Sequence, residues 1–260
     1  MRRQKRAQEW FDDDDFWRET FSHVFAEKRL ALASEVVDKA LTLTKLEGKS
    51  ALDLGCGIGS FSIALAKLGF SVTGVDRTKY LLDKARAKAR SMNITVEWVQ
   101  KDMRDFVRPE AYDFVLSMFS SFGYFDDRAE DAAVLRNIFE SLRPGGVFLI
   151  DILGKEILAK VFQTSSAQTL PDGSMLVEQR KILDGWTRVL NEWTVIRKGR
   201  SRNFTLQLNI YSGQELRQEM ELAGLVDVKL YGNIDGDPYG TDAKRLIAVG
   251  SKPKMNRQFR

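Results

Sequence analysis

The sequence predicts an α/β fold with a mostly parallel sheet, helices on both of its faces, and an antiparallel β insertion. Between residues 50 and 151, short apolar runs alternate with segments whose apolar residues recur every three or four positions. This alternation is typical of βαβ units, in which helical crossovers join parallel strands. A second observation is the strict alternation of apolar and polar residues from 204 to 211, which indicates an antiparallel strand with one buried face.

The elements follow from these patterns in chain order. Helical periodicity from residue 16 to 46 predicts two helices or one bent helix before the first strand. In the later part of the chain, Asp184-Gly185 between two extended runs predicts a tight hairpin within an insertion spanning 165–212. The predicted strands of the main sheet are 50–54, 71–75, 94–99, 112–116, 146–151, 226–231 and 245–250. The predicted helices between them are 61–68, 78–91 with Thr78 as N-cap, 128–142, 155–162 and 212–223.

The charge of the chain is concentrated at its two ends. The 260 residues include 40 basic and 36 acidic ones, for a formal net charge of +4. Eight of the basic residues lie in 1–8 and 252–260, where no acidic residue occurs, so the acidic residues outnumber the basic ones in the remainder. The charge of the body therefore gives no reason to expect a nucleic acid as partner. These terminal residues are Arg2, Arg3, Lys5, Arg6, Lys252, Lys254, Arg257 and Arg260.

Cysteine and histidine each occur once, as Cys56 and His23. A single cysteine excludes an internal disulfide and zinc sites built on cysteine pairs, and a single histidine excludes multi-histidine metal sites, so no metal is expected. The charged N-terminus has no apolar segment of a secretion signal, and no stretch approaches the ~20 apolar residues of a membrane-spanning helix. The expected compartment is the cytoplasm, without membrane association.

A glycine-rich turn follows the first predicted strand. The segment Asp53-Leu54-Gly55-Cys56-Gly57-Ile58-Gly59 places glycine at every second position before a helix. Glycine lets the backbone approach a ligand closely, and a helix N-terminus offers unpaired N–H groups. A nicotinamide-binding turn would have the spacing G-x-G-x-x-G, whereas this turn has G-x-G-x-G.

Two further acidic residues follow neighbouring strands. Asp76 ends the second strand, where a carboxylate can accept hydrogen bonds from both ribose hydroxyls of a nucleoside. Asp102 follows the third strand and is placed to accept from the exocyclic amine of adenine, with Met103 packing on the base.

With the glycine turn, Asp76 and Asp102 in this order, the segment from 50 to 151 resembles the class I S-adenosylmethionine-dependent methyltransferases, including the sequence 142–146 before the fifth strand. This resemblance implies a Rossmann-like, seven-stranded fold and S-adenosylmethionine as cofactor, with S-adenosylhomocysteine as product. Residues 120–125, the hairpin insertion and 235–240 resemble a widespread bacterial group of largely uncharacterised methyltransferases. A more distant similarity is to small-molecule methyltransferases with a β insertion, such as the deoxysugar N-methyltransferases.

The resemblance implies a set of cofactor-binding residues. Asp53 either binds the cofactor's amino group or only accepts from N–H groups of the adjacent turn, and the sequence leaves both open. Cys56 is expected to fill tight space in the turn. The full set is Asp53, Gly55, Gly57, Asp76, Arg77, Asp102, Met103, Ser117 and Phe119.

Residues at the carboxyl ends of the later strands are candidates for the acceptor side, because ligands bind at that edge of a parallel sheet. If a general base is used, the candidates are Asp151, Tyr124, His23 and Tyr239, although His23 is better explained as a structural residue. Asp12 to Asp15 are expected to form a solvated run, whereas Trp10, Phe11, Phe16 and Trp17 are expected to pack over the cofactor or acceptor. The predicted substrate-binding residues are Phe122, Tyr124, Gln207, Tyr211 and Tyr239.

These observations favour transfer of a methyl group to an N or O atom of a small-molecule acceptor. The segment 117–120 lacks the Asp/Asn-Pro-Pro-Tyr signature of base methylation, so nucleic acid is an unlikely partner. The alternatives are an RNA-modifying enzyme that uses the basic ends, and a catalytically idle S-adenosylmethionine-binding module. The expected assembly is a monomer or homodimer.

The expected organisation has five parts. They are an N-terminal helical lid (1–46), a cofactor-binding core (47–164), an insertion that serves as acceptor platform or dimer surface (165–212), the completion of the core (213–251) and a basic tail (252–260).

Overall fold

The computed structural model describes residues 9–25 and 31–254. The basic residues of the two chain ends, apart from Lys252 and Lys254, lie outside the described residues. The central sheet has seven strands, as the sequence predicts. They are β1 (Ser50–Leu54), β2 (Ser71–Asp76), β3 (Glu97–Gln100), β4 (Tyr112–Ser117), β5 (Leu142–Ile152), β10 (Val226–Tyr231) and β11 (Leu246–Ser251).

The strand order in this sheet is β10-β11-β5-β4-β1-β2-β3. The five strands from β5 to β3 run parallel, and β11 runs antiparallel to both β5 and β10. The order reverses between β1 and β4, which creates the crevice at their carboxyl ends where ligands of such sheets bind.

Helices cover the sheet on both sides. They are α1 (Asp14–Glu19), α2 (Phe21–Val24), α3 (Ala33–Thr44), α4 (Ser60–Lys67), α5 (Lys79–Ser91), α6 (Arg128–Ser141), α7 (Lys155–Val161) and α8 (Gly213–Leu222), preceded by a 3₁₀ turn at Trp10–Asp12. Successive residues of β4 alternate between two apolar clusters, because side chains of a strand point to opposite faces. Phe114 packs with residues of α3 and α4, whereas Val115 packs with residues of α6 and α8. The predicted fold class is confirmed.

Some boundaries differ from the predicted ones. Between residues 16 and 46 the described part of the chain forms three helices, not two or one bent helix. Thr78 occupies the N-cap of α5 without a side-chain cap, because its hydroxyl donates instead to the carbonyl of Phe11 at 3.4 Å. The strand β5 begins at Leu142, before the predicted start at residue 146, and a register shift in its pairing with β4 accommodates the additional residues.

The insertion forms a separate antiparallel sheet in the order β6 (Ser165–Thr169), β7 (Met175–Leu183), β8 (Arg188–Arg197) and β9 (Arg200–Asn209). The predicted buried face of β9 includes Leu206, which is buried. The alternation does not continue to the end of the run, since Asn209 and Tyr211, expected on the open face, are 5% and 1% exposed. The chain there leaves the sheet and packs beside α6. None of the helices in the described ranges is long and apolar enough to cross a membrane.

Candidate active site

The glycine turn after β1 brings bare backbone to the edge of a cavity. Gly55 and Gly57 have φ values of +77° and +53°, in the left-handed region that favours glycine. A Cβ atom added to Gly55 would lie 2.8 Å from Cβ of Ser121, and one added to Gly57 would lie 3.1 Å from the ring of Phe25. The amides of Gly55 and Cys56 donate to the carbonyl of Val75, which fixes the turn against β2.

Asp76 is tied to this turn. Its Oδ2 accepts from the amide of Gly57 and its Oδ1 from the amide of Thr78, both at 2.8 Å. Burial raises the pKa of Asp76, although these hydrogen bonds act in the opposite direction. Each carboxylate oxygen has a second lone pair, so Asp76 can still accept hydrogen bonds from a ligand.

Asp53 accepts hydrogen bonds from a residue that the sequence did not point to. Its Oδ2 accepts from the amide and the hydroxyl of Ser62, at 3.0 and 2.5 Å, in the first turn of α4. Burial raises the pKa of Asp53 to about 7, while the two bonds from Ser62 oppose the rise. The carboxylate thus joins β1 to α4 and also lines the cavity.

Asp102 belongs to a network of ion pairs. Both of its oxygens accept from the guanidinium of Arg104, with the shortest contact 2.7 Å, and Arg77 Nη1 donates to Oδ2 at 2.9 Å. Burial alone would raise the pKa of Asp102, but the hydrogen bonds and charge of Arg104 hold it below its usual value. The same two arginines bind Glu9 and Asp12 from the N-terminal segment. Asp12 is therefore not part of a solvated run.

Glu9 and Arg104 are two residues of this network that the sequence did not indicate. Arg104 has 3% of its side chain exposed and donates to Glu9 at 2.6 Å and to Glu130 at 3.0 Å. Arg104 could have been predicted as a partner of Asp102, because it is a positively charged residue only two positions further along the chain. Nothing local distinguishes Glu9, because its partners lie 68 and 95 residues away.

A cavity opens between the glycine turn, the ends of β2 and β4 and the N-terminal segment. It holds about 1120 Å³ of space not occupied by protein atoms, its solvent-open mouth included. Two of the four N-terminal aromatic residues, Phe11 and Trp17, line it, as does Phe25. Of the predicted cofactor-binding residues, those that line the cavity are Asp53, Gly55, Gly57, Asp76, Arg77, Asp102, Met103 and Phe119. The ninth, Ser117, is buried within β4, and its neighbour Met118 lines the cavity instead.

The aromatic N-terminal segment also contacts the insertion. Phe16 packs between Trp193 and Phe204, with ring centroids 5.7 and 5.4 Å apart. His23 lies edge-on to Trp193 at 5.3 Å, outside the cavity lining. The insertion thus supports the segment that covers the cavity.

Among the residues predicted to be catalytic, Tyr124 lines the cavity. Its ring packs on Trp10 at 4.8 Å and on Phe11 at 5.9 Å. Burial, followed by the charge of Asp76, raises the pKa of Tyr124 well above its ordinary value. Tyr124 is therefore protonated at neutral pH.

The other predicted catalytic and acceptor residues do not line this cavity in the structure. Asp151 is buried and pairs with Nε of Arg245 at 2.6 Å, so its carboxylate is committed within the fold. The Tyr239 hydroxyl donates to Glu156 at 2.8 Å. Phe122 packs on Tyr211 at 5.4 Å, and Tyr211 donates to Asp131 at 2.7 Å. Gln207 lies beside the guanidinium of Arg188 on the insertion.

Comparisons with known proteins define the class. Residues 51–146 match the family described as a methyltransferase domain. The chain is 34% identical over 115 residues to a protein of Geobacillus sp. (strain WCH70) whose name gives the methyltransferase class and no acceptor, covering 44% of this chain and 47% of that protein. It is 28% identical over 207 residues to the cypemycin N-terminal methyltransferase of Streptomyces sp., covering 78% of this chain and 83% of that protein.

A third relative is dTDP-3-amino-3,4,6-trideoxy-alpha-D-glucopyranose N,N-dimethyltransferase of Streptomyces venezuelae, 32% identical over 121 residues, which are 46% of this chain and 49% of that protein. The chain thus spans about half the length of two of these three relatives. Among solved structures, an S-adenosylmethionine-dependent methyltransferase from Clostridium acetobutylicum has a TM-score of 0.77 at 16% identity, covering 92% of this chain and 98% of that chain.

The family match covers the glycine turn, Asp76 and Asp102, and the solved structure shares the fold over nearly the whole chain. Residues 51–146 are a methyltransferase domain. The class inferred from the sequence is confirmed.

Proposed function

We propose that the protein transfers the methyl group of S-adenosylmethionine to a nitrogen or oxygen atom of a small-molecule acceptor by in-line displacement. The observation that carries this proposal is the single cavity that joins the glycine turn and Asp76 to a wall of aromatic side chains. The turn and the carboxylate suit a nucleoside with a charged tail, and the aromatic wall suits an acceptor placed beside it.

The residues present fit the cofactor. Gly55 and Gly57 both line the cavity, so their bare backbone would face the methionine part of the cofactor. Asp76 would hold the ribose hydroxyls with its remaining lone pairs, and Met103 would pack on the adenine. Asp102 is already occupied by Arg104 and Arg77, so an adenine amine would have to replace Arg77, which keeps Glu9 and Asp12 as partners.

The bound cofactor supplies an electrophilic methyl group on a sulfonium, and the chain must align the acceptor with it. Such alignment contributes on the order of 7–11 kcal/mol to lowering a barrier. Phe11, Trp17 and Phe25 line the cavity from the N-terminal side and would exclude water from it. Tyr124, being protonated, would orient the acceptor by a hydrogen bond and would not take up its proton.

An amine nitrogen suits this arrangement best, because a neutral amine brings its own lone pair and needs no strong base for attack. Two of the relatives have names that place the methyl group at an amine: one is a cypemycin N-terminal methyltransferase, and the other is an N,N-dimethyltransferase of a dTDP-linked amino sugar. The acceptor wall is proposed to include Tyr124 and the neighbouring Phe125, both of which line the cavity.

The test is an incubation of the purified protein with S-adenosylmethionine that carries an isotopically labelled methyl group and with a fractionated cell extract. We expect labelled small molecules by mass spectrometry and stoichiometric S-adenosylhomocysteine, and Asp76→Ala should form both more slowly at limiting S-adenosylmethionine. Label found in RNA, or binding of the cofactor without S-adenosylhomocysteine from any fraction, would contradict the proposal.

A further inference from the structure

Asp131 is a buried carboxylate that the proposed chemistry does not use. It lies in the first turn of α6 and is 1% exposed. Its Oδ2 accepts from the amide group of Asn209 and from the hydroxyl of Tyr211, both at 2.7 Å. The backbone amide of Gly123 also faces this carboxylate, although Oδ1 has no partner within hydrogen-bond distance among the described residues. Burial raises the pKa of Asp131 to about 6, because burying the charged carboxylate costs free energy. An apolar side chain could fill the same space without this cost.

Asn209 continues the connection from Asp131 to the segment after β4. Its Nδ2 donates not only to Asp131 but also to the carbonyl of Phe125, at 2.9 Å. Its backbone amide donates to the carbonyl of Gly123 at 2.6 Å. A Cβ added to Gly123 would lie 2.5 Å from the carbonyl oxygen of Asn209, so the backbones of these two segments are in close contact. An amide nitrogen has two hydrogens, and fixing one on Asp131 aims the other at Phe125.

The anchored residues flank the aromatic wall of the cavity. Tyr124 lies between Gly123 and Phe125, and both Tyr124 and Phe125 line the cavity. On its other side, Phe125 is covered by the guanidinium of Arg104, 4.1 Å from the ring centroid. The hydrogen bonds from Asn209, at the end of the insertion, therefore fix the position of this wall.

We propose that Asp131 is a positioning residue that acts through Asn209 to hold Tyr124 and Phe125 at the acceptor side of the cavity. The acceptor assignment rests on the proposed function, whereas the connection from Asp131 to the wall does not. A carboxylate suits this role because it accepts from both donors at once and because charge-assisted bonds are about twice as strong as neutral ones. The guanidinium of Arg128, 4.5 Å from the ring centroid of Tyr211, provides a nearby positive charge.

The test compares Asp131→Ala with Tyr211→Phe. The first variant removes the acceptor for Asn209, and the second removes one bond to the same carboxylate but leaves Asn209 in place. Hydrogen exchange of residues 118–126, measured by mass spectrometry, should rise at least tenfold in Asp131→Ala and stay within twofold of wild type in Tyr211→Phe. Residues 50–67 serve as internal control and should not change in either variant.

A second readout is the ¹⁹F resonance of fluorotyrosine at Tyr124, assigned by its loss in Tyr124→Phe. It should shift in Asp131→Asn, the variant to use if Asp131→Ala does not fold, and remain in place in Tyr211→Phe. Equal effects of the Asp131 and Tyr211 variants, or an unchanged segment 118–126 in the Asp131 variants, would overturn the proposal. Affinity for S-adenosylhomocysteine should stay within twofold, and absence of that binding in wild type would contradict the proposed function only.

Discussion

The backbone amide of Gly57 donates a hydrogen bond of 2.8 Å to Oδ2 of Asp76. These residues lie on the glycine turn and at the end of the neighbouring strand, and the bond holds them together before any ligand arrives. Since binding then orders fewer groups, the arrangement lowers the conformational entropy lost on binding. It also means that changes at Asp76 affect both the ligand and the turn.

Asp76→Ala should weaken binding of S-adenosylhomocysteine by about 1.5–3 kcal/mol, the range for hydrogen bonds to a charged group. The melting temperature should also fall, because the amides of Gly57 and Thr78 lose their acceptor. Isothermal calorimetry measures the affinity, and Asp83→Ala on the exposed face of α5 is the matched control. Unchanged affinity in a folded Asp76→Ala protein would remove the ribose assignment.

Cofactor choice is a second prediction. S-adenosylmethionine and S-adenosylhomocysteine should raise the melting temperature, because a ligand that binds only the folded state stabilises it, by about 2.7 kcal/mol at one hundred times its Kd. NAD and NADP should not, since the turn has the spacing G-x-G-x-G. Thermal shift assays with each nucleotide check this, and stabilisation by NAD alone is the result that would reject the assignment.

Stability should depend on pH through Asp53. Burial raises the pKa of Asp53 from 3.8 to about 7, so between these values the folded state binds a proton that the unfolded state does not. The contribution of Asp53 is therefore complete below pH 3.8 and is lost as the pH rises through 7, by at most ~1.4 kcal/mol per pH unit. The Asp53→Asn variant should not show this decrease in stability, because asparagine does not titrate in this range.

Urea unfolding at pH 4.5 to 7.5 gives the free energy of unfolding for both proteins. The wild-type value minus the Asp53→Asn value should decrease as the pH rises. Parallel curves would show that Asp53 does not hold a proton in the folded state.

Glu9→Gln should lower the free energy of unfolding by about 1–2 kcal/mol, because Glu9 binds both Arg77 and Arg104 in partly buried ion pairs. Hydrogen exchange of residues 9–25 should increase in the same variant. Glu130→Gln is the control, since Glu130 is more exposed and contacts Arg104 at 3.0 Å, and its effect should be below about 0.5 kcal/mol. Equal effects of the two substitutions would argue against a specific anchor at Glu9.

Most helices and strands of the fold could be predicted from local sequence patterns. Strand and helix periodicities involve neighbours two to four residues apart, so the strands of the sheet and the helices between them could be predicted. The predicted exposure of Asn209 and Tyr211, at and just after the end of β9, was wrong because both side chains bond to Asp131 of α6, a distant part of the chain. Likewise Asp151 stands at the expected edge of the sheet, but its partner Arg245 is 94 residues away.

The sequence by itself determined the class of the protein, since the glycine turn, Asp76 and Asp102 form a local and ordered pattern. Only the tertiary structure decided which distant residues hold the segments around the cavity together. Glu9 reaches Arg104, 95 residues away, and Asp131 reaches Asn209 across 78 residues. The physical reason is that ion pairs and hydrogen bonds between distant segments depend on how the N-terminal segment and the insertion pack on the sheet, which leaves no periodic signal in the sequence.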